Sequence, residues 1–282
     1  MTTIGFVGVG TLADALVRAL APRAEGRNDI LLSPRSTMRS SALADAYDNV
    51  MRLDSNRAVV ERAELVFLTM RPPQIEDALA EVIFSPDQTV VSLLAGTPLD
   101  TLLNAVRGRP RMVRALALPS IAHGRGPIAI LPDDRRVSDL LGMLGEVIPV
   151  RDEAELDLLV AAGGLMSTYL ELQNRIVDAL AARSCAEATA YRFVASMVEG
   201  LAGTARGLPV ERRHGLPVDH ETPGGINERC RRYLSDAGWF DQIPAAIDAI
   251  TSHDLRGRAS DGAPQGETGR QPNSFVSGNI PR

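Results

Sequence analysis

No lysine occurs in the 282 residues, so all 30 basic side chains are arginine. A guanidinium stays protonated and forms no Schiff base, which excludes any chemistry that needs a lysine nucleophile or a titrating lysine. Cysteine is scarce: Cys185 and Cys230 stand far apart in no metal spacing. They read as reduced thiols of a cytoplasmic protein. No apolar run approaches the roughly 20 residues that span a bilayer, and the chain opens directly on a strand pattern rather than a leader. A net charge of -5 gives no electrostatic ground for binding nucleic acid or an anionic membrane. No histidine or carboxylate pair has ligand spacing, so no metal is expected. There is no internal repeat.

With 45% hydrophobic and 23% charged residues, the chain has the composition of an ordinary globular protein. Apolar runs at Thr3–Gly8, Ile30–Leu32, Leu65–Met70, Thr89–Leu93 and Met112–Ala117 read as strands. Helix-like segments at Leu12–Leu20, Ser36–Tyr47, Asn56–Arg62, Pro73–Val82 and Leu99–Val106 separate them. That alternation is the mark of βαβ units around a parallel sheet. Pro127–Leu131 and Glu146–Val150 extend the sheet, with a helix at Val137–Leu144 between them. After Arg151 the strand signals stop, and Asp152–Ala182 keeps helical apolar spacing for about eight turns. Glu187–Ala205, Ile226–Asp236 and Gln242–Thr251 are further helices. The expected fold is therefore an α/β Rossmann-type domain over 1–151 with a mostly parallel sheet, followed by an all-α domain over 152–252. Residues 253–282, rich in Gly, Ser, Pro, Arg and Gln, are expected to be a disordered tail.

Gly8, Gly10 and Ala13 form G-x-G-x-x-A directly after the first strand. Gly8 permits a tight turn, Gly10 lets backbone approach a pyrophosphate, and Ala13 keeps the helix close to the strand. The N–H groups at Thr11 and Leu12 then face phosphate at the helix N-terminus. The second strand ends in Leu32-Ser33-Pro34-Arg35-Ser36, without the acid that holds the ribose of NAD. Ser33, Arg35 and Ser36 suit a 2′-phosphate, which points to NADP(H); the alternative has Ser36 as a helix cap and Arg35 solvated.

Further markers follow in order: Asp54-Ser55-Asn56, Val66 to Pro72, Val90 to Leu99, Val113-Arg114-Ala115, Asp152-Glu153 with Asp157, and Thr222-Pro223-Gly224-Gly225. Together with the glycine loop they resemble the pyrroline-5-carboxylate reductase family, in the wider 6-phosphogluconate-dehydrogenase-like superfamily, from about Thr3 to about Ile250. The resemblance implies that Asn56 bonds the adenosine side of NADPH, and that Thr69, Met70, Arg71, Pro72, Ala95 and Gly96 line its nicotinamide end. It also implies a homodimer or higher homo-oligomer whose helical parts interweave. Each active site would then be bordered by Pro223, Gly224, Gly225 and Ile226, and the N–H groups of the last three form a nest for a substrate carboxylate. The other reading of Pro-Gly-Gly is a tight corner that starts a helix.

The substrate half departs from the family pattern. Where the family carries a small hydroxyl pair after Pro-Gly-Gly, this chain has Ile226-Asn227. Asn227 is the candidate at the reacting nitrogen and cannot act as an acid. Leu116-Ala117-Leu118-Pro119-Ser120 replaces a stretch with an amide side chain. Gly163-Gly164-Leu165-Met166-Ser167-Thr168-Tyr169 puts bulkier side chains on the pocket wall beside Tyr169. A protonated imine is already activated for hydride attack, whereas a ketone needs a proton donor. Ketone-reducing relatives use a lysine for that; without one, the expected activity is NADPH-dependent reduction of a small cyclic imine carboxylate. The alternatives are another keto or imino substrate, with Tyr169, His220 or His123 as donor, or a non-catalytic NADP-binding protein. The remaining His214 and His253, and the arginines at 212–213 and 229–232, read as solvated.

Overall fold

A computed structural model describes residues 2–26 and 28–252. The tail expected at 253–282, with His253, lies outside the described residues. The N-terminal half contains β1 (Thr2–Val7), α1 (Thr11–Ala24), β2 (Asn28–Leu32), α2 (Thr37–Ala46), β3 (Val50–Arg52), α3 (Asn56–Arg62), β4 (Leu65–Leu68) and α4 (Ile75–Leu79). It continues through β5 (Thr89–Ser92), α5 (Leu99–Ala105), β6 (Arg111–Ala117), β7 (Pro127–Leu131), α6 (Arg135–Leu141) and β8 (Glu146–Pro149). The strands form one eight-stranded sheet in the order β3-β2-β1-β4-β5-β6-β7-β8. All neighbours are parallel except β6 and β7.

The sheet is buried on both faces, so its strands read as apolar runs rather than alternating patterns. Ile4, Phe6, Ile30, Leu32, Leu65, Phe67 and Val91 point into one core layer with α1 and α6. Val7, Leu31, Val66, Leu68 and Val90 point into the other, against α3, α4 and α5. Phe6 and Phe67 stack across β1 and β4 with ring centroids 4.9 Å apart. Each of these fully buried side chains contributes about 1.5–3 kcal/mol. Gly5 sets the closeness of the second layer. A Cβ there would lie 2.7 Å from Val59 Cγ1 and 2.8 Å from Ala63 Cβ, so α3 rests directly on β1.

Three features differ from the sequence expectation. β3 is an additional strand, too short for a periodic signal, and it sits at the sheet edge. The long helix expected over 152–182 breaks at Gly163-Gly164 into α7 (Glu153–Gly163) and α8 (Met166–Ala181). Finally, the sheet's packing runs past residue 151: Leu156 and Leu159 of α7 join Ala129, Leu131 and Leu116 in a small cluster.

Beyond α7 and α8 lie α9 (Glu187–Arg206), α10 (Leu216–Asp219), α11 (Ile226–Asp236) and α12 (Gln242–Ser252). α12 returns to α7, where Ile250 Cδ1 would meet a Cβ on Gly164 at 3.0 Å. α8 and α9 pack through Val177, Ala190 and Val194. Leu170, Tyr191, Phe193, Met197 and Leu201 stay exposed on the same two helices. Among the described residues, no helix is long and apolar enough to cross a membrane.

Candidate functional site

Because β1, β2, β4 and β5 run parallel and in register (Phe6 beside Leu32, Val7 beside Leu68, Leu68 beside Ser92), their carboxyl ends open on one edge of the sheet. Strand order reverses between β1 and β4, and that switch point is where a doubly wound sheet leaves a crevice. The glycine loop lies over it. Gly8 has φ 94°, a conformation side chains avoid, and a Cβ there would lie 2.7 Å from the Met70 backbone nitrogen. Gly10 begins α1 with no side-chain cap, and its nearest neighbour would be Thr69 O at 3.9 Å. The N–H groups of Thr11, Leu12 and Ala13 have no hydrogen-bond partner among the described residues, and the loop fits a pyrophosphate on this ground. Ala13 is fully buried beneath it, and Leu12 is half-buried against the same core.

Two of the expected ligand contacts serve the loop instead. Ser33 is fully buried, and its hydroxyl accepts the Gly8 N–H at 2.9 Å. It pins the turn and does not reach a phosphate. Thr69 donates its hydroxyl to Gly8 O and lies 3.3 Å from Val7 O, fastening the end of β4 to the same turn. Met70 is also a core residue, so it can offer a ligand only backbone. Arg71 opens a short 3-10 turn at Pro72–Gln74, with its N–H on Gln74 Oε1. Ala95 is exposed after β5, and Gly96 turns the chain with φ 69°.

A cleft of about 560 Å³ adjoins this edge at the end of β2. Pro34, Arg35, Arg52, Ser55, Asn56 and Arg57 line it, with Asp77 and Glu81 on its rim. Arg35 is exposed and, among the described residues, enters no ion pair. Ser36 stands at the start of α2 with φ 65° and caps no amide with its hydroxyl. Asn56 is partly committed: its amide nitrogen donates to Ala78 O at 2.9 Å, leaving its carbonyl oxygen. Arg52, missed in the sequence, rises from β3 and donates to Ser40 Oγ at 3.2 Å and Pro34 O at 3.5 Å, holding the loop that carries Arg35. Only the pairing of β3 with β2 brings it there.

The two halves are joined by an ion cluster around a buried guanidinium. Arg114 on β6, 4% exposed, donates to Glu153 and, at 3.2 Å, to Asp157 Oδ1, both on α7. Glu153 also accepts the N–H of Leu99 at the start of α5 at 2.8 Å. These residues were visible only as sequence markers; their contact needs the fold. The Thr97 hydroxyl nearby is buried and has no hydrogen-bond partner among the described residues.

At the Pro-Gly-Gly turn, Gly224 has φ 73° and leads into α11. Its N–H donates to Glu228 Oε2 at 2.6 Å, and Gly225 N–H donates to Thr222 O at 2.7 Å. The N–H groups of Ile226 and Asn227 have no partner among the described residues. Arg231 clasps Glu221 through two contacts, one of them 2.9 Å, and this holds the Glu221 carboxyl below its ordinary value of 4.5. Asn227 donates one amide hydrogen to His220 O at 2.8 Å, which ties it to the loop and leaves its second N–H for a ligand. The His220 ring donates from Nδ1 to Leu216 O at 2.9 Å. Ile226 is 81% exposed, Pro223 is exposed, and Tyr169 is half-exposed on α8.

The fold and the loop define a Rossmann-type α/β domain followed by a helical region. The family described as NADP oxidoreductase, coenzyme F420-dependent, matches residues 3–96. Over nearly its whole length the chain resembles pyrroline-5-carboxylate reductases. It is 26% identical to the Corynebacterium melassecola enzyme over 254 residues, covering 84% of this chain and 92% of that protein. The Escherichia coli enzyme is also 26% identical, covering 88% of this chain and 94% of its own. Among solved structures, the Streptococcus pyogenes enzyme superposes with a TM-score of 0.77 at 21% identity, covering 90% of this chain and 98% of that one. The Plasmodium falciparum enzyme, solved with NADP bound, gives 0.72 at 15% identity over 90% of this chain and 97% of that one. These two structures share the fold.

Proposed function

We propose that the protein is an NADPH-dependent reductase of a small cyclic imine carboxylate, of the pyrroline-5-carboxylate reductase type. Similarity to such reductases along nearly the full length of both chains carries the reading. NADPH is the coenzyme because the cleft after β2 offers Arg35, with Arg52 and Arg57 beside it, and the strand ends without a carboxylate to repel a 2′-phosphate. Residues 1–151 hold the coenzyme and 152–252 complete the substrate pocket. The α1 N-terminus and Gly10 take the pyrophosphate, Asn56 Oδ1 and Ser36 border the adenosine, and the backbone of 69–72 and 95–96 orients the nicotinamide.

When bound, the coenzyme supplies a hydride. The chain's own residues position the acceptor and exclude water. The α11 N-terminus, through Ile226 and Asn227 N–H, favours a carboxylate by its partial positive charge. No lysine exists, the Asn227 amide cannot give up a proton, and the His220 Nδ1 proton is engaged, so the residues around the turn suit an imine that arrives protonated. The exposed apolar stripe of Leu170, Tyr191, Phe193, Met197 and Leu201 supports assembly as a homodimer or higher homo-oligomer.

The test is consumption of NADPH with pyrroline-5-carboxylate, followed by the loss of reduced-nicotinamide absorbance, with proline identified as product. A rate proportional to enzyme supports the reading. No oxidation with any cyclic imine, under conditions where the coenzyme binds, contradicts it.

A further inference from the structure

The Pro-Gly-Gly turn already has a carboxylate on it. Glu228, the third residue of α11, folds back so that Oε2 accepts the Gly224 N–H at 2.6 Å, while Oε1 accepts from Arg232 at 2.6 Å. Its side chain is only 18% exposed, so this is a seated group rather than a waving one. A glutamate at the third helical position ordinarily reaches back to the N-cap amide. Here Gly225 is the N-cap, its own N–H is spent on Thr222 O, and Glu228 reaches one residue further. The carboxylate therefore occupies the Gly224 N–H, one amide of the nest expected from the sequence, beside the Ile226 and Asn227 N–H groups that the proposed function gives to the substrate. A second carboxylate on the Ile226 and Asn227 N–H groups would meet a like charge at close range. Like charges that share a site oppose each other's ionised form. Glu221 and Arg231 satisfy each other, and Arg232 pairs with Glu228 itself, so neither of these cations is free to offset the added charge.

We propose that Glu228 is a specificity-determining residue: an internal mimic of the substrate carboxylate, which an anionic imine must displace from Gly224. The inference rests on the proposed function. It predicts weak selection for a ring carboxylate, because displacing Glu228 also disturbs its pairing with Arg232.

The test compares the full-length protein with Glu228→Gln, using pyrroline-5-carboxylate and 1-pyrroline, the same ring without the carboxylate, each with saturating NADPH. The neutral amide can still accept the Gly224 N–H. In E228Q the ratio of kcat/KM for the carboxylate imine over 1-pyrroline should rise about tenfold, mainly through a lower KM for the carboxylate. Glu228→Asp, which keeps the charge, should leave the ratio near the parent's. A ratio in E228Q that is unchanged or lower overturns the inference and leaves the function standing.

Calorimetric binding of L-proline to the protein with oxidised NADP gives a readout independent of turnover. Tighter binding in E228Q supports the inference, and equal or weaker binding overturns it. If neither protein reduces either imine, the functional reading falls, and the proline titration still decides on Glu228. Should E228Q fail to fold, Glu228→Ala serves in the same two measurements.

Discussion

Replacing Arg114 with methionine is the sharpest test of how the two halves are held. The guanidinium is 4% exposed and, among the described residues, is the only cation on Glu153 and Asp157, which are 37% and 29% exposed. Met has similar length and no charge, so the change strands two half-buried carboxylates and leaves the packing volume nearly filled. Breaking a fully buried pair typically costs 3–5 kcal/mol; with both acids partly solvated, about 2–3 kcal/mol is the appropriate figure. For a chain of this size that corresponds to a Tm lower by roughly 4–6 °C. Thermal unfolding followed by circular dichroism reads it directly. The triple change R114M/E153Q/D157N removes the stranded charges and should recover part of the loss. A Tm for R114M within about one degree of the parent would refute the reasoning, as would a triple variant less stable than the single.

Other consequences can be checked as readily. Gly8→Ala forces a side chain to φ 94° and against the Met70 backbone nitrogen at 2.7 Å, so NADPH affinity should drop at least about tenfold by fluorescence titration. Arg35→Ala should weaken NADPH by about 2 kcal/mol, roughly 30-fold, and NADH far less. Equal losses would remove the assignment of the 2′-phosphate to Arg35. Acid should destabilise the fold through carboxyls that their partners hold low, Glu64, Asp134 and Glu221 among them. Burial opposes ionisation of Glu64 and Asp134, but Arg136 and the Thr3 N–H hold Glu64 low, and the Val137 N–H with Arg111 holds Asp134 low. Arg231 does the same for Glu221. Depressed folded values mean stability that is present above the ordinary 4.5 and 3.8 and is lost as pH falls through the folded values. The urea midpoint should fall on acidification below about pH 4.5, and Glu64→Gln should flatten that fall.

The fold was legible because the parallel sheet is buried on both faces: runs such as Leu65–Leu68 carry no period but are bounded by turn residues and helical segments. The glycine loop was legible for the same local reason. What could not be read depends on contacts between distant residues. Ser33 looks like a phosphate ligand in sequence, yet the adjacency of β1 and β2 buries it on Gly8. Arg52 belongs to a three-residue strand, too short for a pattern, and reaches the cleft only through pairing with β2. The break at Gly163-Gly164 hides inside continuous apolar spacing, although the paired glycines mark it and α12 packs there. Glu228 was available in principle, since a glutamate at the third position of a helix after glycine is a capping signal. In sequence alone the bare amides of Pro-Gly-Gly read as a nest for an external anion, and only the folded turn shows Glu228 on Gly224.

The coenzyme site decides most. Titrating the purified protein with NADPH and with NADH, by quenching of its single tryptophan or by reduced-nicotinamide fluorescence, tests it without any choice of substrate. A saturable NADPH signal, at least about tenfold tighter than that for NADH, is the predicted result. The contradicting result is no saturation with NADPH up to about millimolar concentration, or tighter binding of NADH.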